Sequence, residues 1–176
     1  MDSPLETTSS FHEQFTAVFD ANFARLFRYL DRLSGEPELA ADLAQEAFVR
    51  LYERGALPDT PSAWLITVAM NLFRNERGTR SRRRRLLTDA RAEHVLADRP
   101  ACADQLAVAD ETRRRVRASL DRMPERDQRL LLLHAEGFSY REISAGLGLH
   151  EASVGTLLAR ARRGFRALYE ERADAP

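Results

Sequence analysis

The sequence has one cysteine, no lysine and no long apolar segment. Cys102 has no second cysteine for an internal disulfide or for a cysteine-based metal site. No stretch approaches the roughly 20 apolar residues that a membrane span requires. The N-terminal segment carries acids where a signal peptide needs a basic start and an apolar run. We therefore expect a cytoplasmic protein without direct membrane insertion.

The usual sequence signals of catalysis are also missing. Four histidines are scattered along the chain without the spacing of a zinc site, namely His12, His94, His134 and His150. Neither a glycine-rich phosphate loop nor a nucleophile elbow occurs. We predict no catalytic residues, no bound metal and no cofactor. An enzyme is therefore the least supported of the interpretations considered below.

The charged residues are abundant and sorted into blocks. All 27 basic residues are arginine and 27 acids balance them, so the formal net charge is zero. Residues 1–70 hold 5 arginines and 11 acids, whereas residues 74–85 hold 7 arginines and the single acid Glu76. Residues 86–110 hold 2 arginines and 5 acids, and residues 111–176 hold 13 and 10. Alternating blocks of this kind indicate separate surfaces for separate partners.

The apolar periodicity in the first half of the chain is helical. Phenylalanine recurs at every fourth position from residue 11 to residue 27, and this predicts a first helix that stops at Ser34-Gly35. A second helix, LAADLAQEAFVRLYE, ends near Gly55. Thr60-Pro61 has the pattern of an N-cap followed by proline and predicts a third helix that enters the arginine cluster.

The second half indicates another small helical unit. Between residues 86 and 110 the apolar rhythm weakens, which predicts a linker with some local helix. One helix then runs from near Glu111 to Met123, and a second passes through the apolar run 130–133 and stops at Gly137. The predicted fold is all-α, with helical domains at 11–85 and 111–172 and a flexible linker at 86–110.

The most specific local pattern lies at residues 137–168. Ser139 and Glu142 have capping-box spacing, Gly148 permits a tight turn, and a longer amphipathic helix starts at Glu151. This is a helix-turn-helix, which places its second helix in the major groove. The predicted DNA contacts on that helix are Ser153, Thr156, Arg160, Arg163 and Arg166. The alternative is an ordinary helical hairpin with a solvated basic face.

Two further polar surfaces have a functional and a plain interpretation. The segment NLFRNERGTRSRRRR combines arginines with nearby aromatic rings, a combination that suits partly melted or single-stranded nucleic acid. Read alone, however, Trp64 is more often a core residue and the run 82–85 a solvated helix end. Asp42, Gln45 and Glu46 share one helix face, which by itself is more often solvated than functional.

Three features in this order carry a family resemblance: DLAQEAFVRLY, AWLITVAMNLFRNERGTRSRRRR and the GFSYREIS helix-turn-helix. Over residues 11–172 the chain resembles the extracytoplasmic-function (ECF) group of bacterial sigma factors, the promoter-recognition subunits of RNA polymerase. The resemblance implies that Asp42, Gln45 and Glu46 bind the polymerase core. It also implies minus-ten DNA contacts on the third helix, namely Trp64, Asn71, Arg74, Arg77 and Arg80.

The resemblance further implies that the helix-turn-helix binds the minus-thirty-five element and that an anti-sigma protein holds the chain inactive. One departure from the family pattern lies in the recognition helix. Gly155 and Leu157 stand where relatives commonly carry basic residues. The other interpretation from the residues is a stand-alone helix-turn-helix regulator that binds its operator as a dimer.

Overall fold

The computed structural model describes residues 4–88 and 104–171, and the regular structure in these ranges is entirely α-helical. The prediction of an all-α fold is therefore confirmed. In the described ranges no helix combines the length and apolar character needed to cross a membrane. The helices are α1 (Pro4–Ser34), α2 (Pro37–Glu53), α3 (Pro61–Thr88), α4 (Asp104–Asp121), α5 (Glu125–Ala135), α6 (Tyr140–Leu147) and α7 (Glu151–Glu171).

The helix ends lie close to their sequence signals. Gly35 adopts φ +73°, in the left-handed region that favours glycine, and its N–H donates to the Asp31 carbonyl at 2.7 Å. Helix α3 begins at Pro61 and continues through the arginine cluster, as predicted. Helix α4 begins at Asp104, seven residues before the predicted start. Residues 89–103, the centre of the predicted linker, lie outside the described residues.

The row of phenylalanines on α1 is only partly buried. A spacing of four residues on a helix with 3.6 residues per turn drifts by about 40° at each step, so the row winds out of the core. Leu26 and Leu30 of the same helix are fully buried, whereas Phe19 is 37% exposed. The exposed part of the row packs on α2, with the Phe19 and Phe48 rings 5.0 Å apart and edge-on.

Helices α1–α3 form a first module and α4–α7 form a second. Both hydrogen bonds of the capping box form at the start of α6, since the side chains of Ser139 and Glu142 each accept the backbone N–H of the other. Gly148 takes φ +65° in the turn before α7. Val154, Leu158 and Ala161 bury one face of α7. Short helix, left-handed glycine and long helix make the predicted helix-turn-helix.

The two modules pack directly against each other. Helix α6 lies on α3 and helix α5 lies on α1, and the buried side chains of both modules form one continuous core. The modules approach each other closely at Gly146 of α6, where an added Cβ atom would lie 2.9 Å from the Ile66 Cγ2 atom. Only a residue without a side chain fits there while the modules stay packed.

Candidate functional site

The predicted polymerase-binding residues lie on the exposed face of α2. Asp42, Gln45 and Glu46 are exposed, while Leu43 and Phe48 on the opposite face are buried. Glu46 accepts a hydrogen bond from Arg50 at 2.8 Å. Only Asp42 and Gln45 therefore have no partner among the described contacts of this face.

An acidic groove runs beside this face, between α2 and α3. Five carboxylates and one guanidinium line it, namely Glu36, Glu38, Asp42, Glu46, Glu76 and Arg80. Its volume is about 440 Å³. The groove extends the negative potential of the α2 face over both helices, which suits a basic partner segment.

The predicted minus-ten residues on α3 have different environments. Trp64 is partly buried and packs on the core, whereas Asn71 and Arg74 are exposed and hydrogen-bond each other at 3.0 Å. The Arg77 guanidinium lies 5.7 Å from the Phe73 ring centroid.

Arg80 points towards the acidic groove. It donates to Glu36 at 2.6 Å and to Glu76 at 2.8 Å. A nucleic acid that used Arg80 would have to compete with two carboxylates.

The predicted minus-thirty-five residues lie on the exposed side of α7. Ser153, Thr156, Arg163 and Arg166 are exposed, opposite the buried Val154, Leu158 and Ala161. Arg160 is also exposed but donates to Asp127 of α5 at 3.0 Å. The main packing partners of α7 are α4, α5 and α6 of its own module, so this face is open to solvent while the modules are packed.

The contacts between the modules were not predicted from the sequence. Arg25 of α1 donates to Glu142 of α6 at 2.6 Å. Arg28 and Arg32 of α1 both pair with Glu136, at 2.6 and 2.8 Å, and the Glu136 side chain is 2% exposed. These partners are more than a hundred residues apart in sequence, and no local pattern connects them.

A further contact between modules closes the end of α1. The Arg117 guanidinium of α4 donates to the backbone carbonyls of residues 32, 33 and 34, at 2.6, 3.1 and 3.1 Å. The last carbonyls of a helix have no partner within the helix, and a cation is favourable at this end. Arg117 therefore acts as a C-cap for α1.

Glu142 has two structural roles. Its carboxylate accepts the Ser139 N–H of the capping box at 2.7 Å and also binds Arg25 of the other module. Burial alone would raise the pKa of the Glu142 carboxyl, but hydrogen bonds from Arg25, Ser62 and Ser139 outweigh it and lower that pKa to about 2. The carboxylate thus links the start of the helix-turn-helix to α1.

This pKa predicts loss of stability in acid. A carboxyl whose pKa is lower in the folded chain than in the unfolded chain stabilises the fold above about pH 4.3, and the stabilisation is lost as pH falls towards 2. Glu142→Gln should reduce the free energy of unfolding by about 2 kcal/mol at pH 7. As pH falls from 5 to 3, the Tm of the variant should decrease less than the Tm of the parent. Thermal unfolding followed by circular dichroism measures both effects, with the exposed Glu53→Gln as control. Equal acid sensitivity of Glu142→Gln and the parent would contradict the assignment.

The fold and surfaces define a helical DNA-binding protein with two modules, an acidic face on the first and a helix-turn-helix in the second. The family models of Sigma-70 region 2 and Sigma-70 region 4 match residues 18–85 and 113–163. The ECF RNA polymerase sigma factor SigL of Mycobacterium tuberculosis is 31% identical over 88% of both chains. The chain belongs to the ECF sigma factors of the sigma-70 superfamily.

The chain is also similar to a second ECF sigma factor and to a solved structure. The ECF sigma factor SigE of Mycolicibacterium smegmatis is 33% identical over 82% of this chain, which spans 56% of that relative. The solved structure of the sigma factor RpoE, in complex with the anti-sigma factor NepR from Bartonella quintana, matches with a TM-score of 0.61 at 22% identity. That match covers 92% of this chain and 97% of RpoE, and it shows the shared fold. The stand-alone dimeric regulator is not favoured by these matches.

Proposed function

We propose that this chain binds core RNA polymerase through the exposed face of α2 and directs it to a set of promoters. The observation that carries the proposal is the presence of both sigma modules in one chain, each with its expected binding face at the surface. Helix α3 contacts and opens the minus-ten element, and α7 reads the minus-thirty-five element. The chain carries out no bond chemistry itself and works in the cytoplasm.

Promoter binding requires the two modules to separate. The two elements lie about 25 base pairs apart, which is about 85 Å of duplex at ~3.4 Å per base pair. Helix α3 is in contact with the second module, and Asn71 and Arg74 lie beside Gly146 and Leu147 of α6. The packed arrangement therefore holds the recognition helix too close to α3 for both elements to be bound at once. Polymerase binding favours the separated arrangement.

An anti-sigma factor is the proposed inhibitory partner. The solved RpoE relative was crystallised with an anti-sigma factor. A protein that binds across both modules would keep them packed and cover α3. Co-purification of the tagged chain from its native host, with identification of the bound protein, tests this partner.

Run-off transcription with core polymerase tests the proposed function. Addition of the chain to core enzyme should produce discrete transcripts from a subset of genomic promoter fragments, whereas core enzyme alone should give none of them. Failure to stimulate initiation on every fragment of a genomic library would contradict the proposal.

Arg163 provides a test of the recognition helix. Arg163→Ala should weaken binding to a random-sequence duplex and reduce the slope of log K against log salt by about one, because one phosphate contact and its released counterion are lost. Fluorescence anisotropy over a series of salt concentrations measures the slope. Arg54→Ala, an exposed arginine just after α2, removes the same charge and should leave the slope unchanged. An unaltered slope in Arg163→Ala would place this residue away from the DNA.

A further inference from the structure

A small cavity lies between the two modules, on the side where α3 meets α5 and α6. Arg74 of α3 and both Arg126 and Arg129 of α5 line it, and Gly146 of α6 lies at its edge. Its volume is about 100 Å³, against about 30 Å³ for one water in the liquid. The cavity has room for several waters or for one tetrahedral anion. Because both modules supply its walls, it exists only while they are packed.

The residues that line this cavity carry more positive than negative charge. Three guanidinium groups line it, and none of its lining residues is an aspartate or glutamate. The nearest carboxylates along α5 are already paired, Glu125 with Arg129, and Asp127 with both Arg126 and Arg160. Two of the three guanidinium groups therefore have one carboxylate partner each outside the lining, whereas Arg74 hydrogen-bonds to the neutral Asn71 among the described contacts. The positive charge that remains beside the cavity favours an anion there.

Arg129 is a buried guanidinium group with an unsatisfied hydrogen-bond donor. The residue is 8% exposed, and its Nε atom has no hydrogen-bond partner in the described part of the chain. Burial lowers the pKa of its guanidinium, and the neighbouring charges of Arg74 and Arg77 lower it further, against an opposing effect of Tyr29. A buried donor without an acceptor destabilises the fold, and an anion in the cavity would provide that acceptor.

We propose that the inter-module cavity is a binding site for a phosphate group, held by Arg74, Arg126 and Arg129. Guanidinium groups match the oxygen geometry of phosphate with paired donors, and three of them from two modules can surround one such group. The ligand is a small free phosphate compound or a nucleic-acid backbone phosphate, which share this chemistry. The site rests on the packed arrangement and not on the proposed promoter function.

The site would couple the phosphate ligand to module packing. A ligand that binds only the packed arrangement shifts the equilibrium towards it by its differential affinity. Bound phosphate would therefore stabilise the folded chain and oppose the separation that promoter binding requires.

Thermal unfolding of the full chain in inorganic phosphate, against chloride at equal ionic strength, tests the site. The Tm should rise in proportion to the logarithm of the phosphate concentration above the apparent Kd, by about 3 °C at ten times that Kd. Arg126→Gln should weaken the apparent affinity about tenfold or more. Arg122→Gln is the matched control, since both arginine side chains are about half exposed and lie four residues apart. It should behave as the parent.

Two further arms make the result decisive. Gly146→Leu should remove the logarithmic rise in Tm, because the modules can no longer close around the cavity. A short single-stranded oligonucleotide serves as the second phosphate source. A logarithmic rise in Tm with inorganic phosphate alone supports a small ligand. A rise with both phosphate sources, lost in Arg126→Gln, supports the DNA backbone. A rise that stays linear in phosphate reflects general exclusion of the salt from the surface and would overturn the site. An unchanged logarithmic rise in either Arg126→Gln or Gly146→Leu would overturn it too.

Discussion

The double variant Asp42→Ala, Gln45→Ala is expected to lose binding to core RNA polymerase, by a factor of about 100 or more in affinity. Both side chains are exposed on α2, and a pair of polar groups at the centre of an interface typically carries several kcal/mol between them. The buried face of α2 is untouched, so the helix content and the Tm should stay within the range of the parent. Surface plasmon resonance with immobilised core enzyme measures the affinity.

The double variant Asp20→Ala, Gln14→Ala is the matched control for this experiment. It removes the same two kinds of side chain from exposed positions on α1 and should bind polymerase as the parent does. Unchanged affinity of the Asp42 and Gln45 variant would show that the acidic face of α2 does not bind polymerase. An equal loss in both variants would show that the whole surface of the module contributes.

Gly146→Leu is expected to separate the modules. An added Cβ would already lie 2.9 Å from Ile66, which is fully buried, and leucine extends well beyond Cβ. The substitution itself favours helix, since glycine is about 1 kcal/mol worse than most residues in a helix interior. Loss of packing would therefore come from the clash between α6 and α3. The radius of gyration should rise from about 16 Å, the value for a compact chain of this length, to about 20 Å or more.

Small-angle X-ray scattering measures this change, and binding of a single-stranded minus-ten oligonucleotide should tighten as α3 is uncovered. Gly164→Leu is the matched control, because Gly164 lies on the surface of α7 and nothing surrounds the place of its Cβ. A compact Gly146→Leu protein would mean that Ile66 and its neighbours can repack around the new side chain.

The elements that the sequence predicted well depend on local signals. Gly35, Gly148 and the capping box of Ser139 and Glu142 act over three or four residues, and a linear pattern contains all the information they need. The start of α3 at Pro61 belongs to the same class. The helix-turn-helix is likewise present in the structure because it is contiguous in the chain.

What the sequence did not reveal depends on pairing over long distances. Arg25 belongs to the acidic first block, and nothing near it indicates that its partner is Glu142, 117 residues away. Arg80 was predicted as a DNA contact from the family resemblance, and Arg160 from its position on the helix face. In the folded chain they bind Glu36 and Asp127, which only the packing of neighbouring helices brings within reach.

The Arg117 contact with α1 also has a consequence for synthesis on the ribosome. The C-terminal carbonyls of α1 receive their donor from a residue 85 positions after Arg32. At about 5–20 residues per second, that residue is made about 4–17 s after the helix end it completes. Helices α2 and α3 are themselves synthesised during this interval, and the end of α1 has no Arg117 donor until it closes. All three helices of the first module are therefore made before the residue of the second module that closes the end of α1.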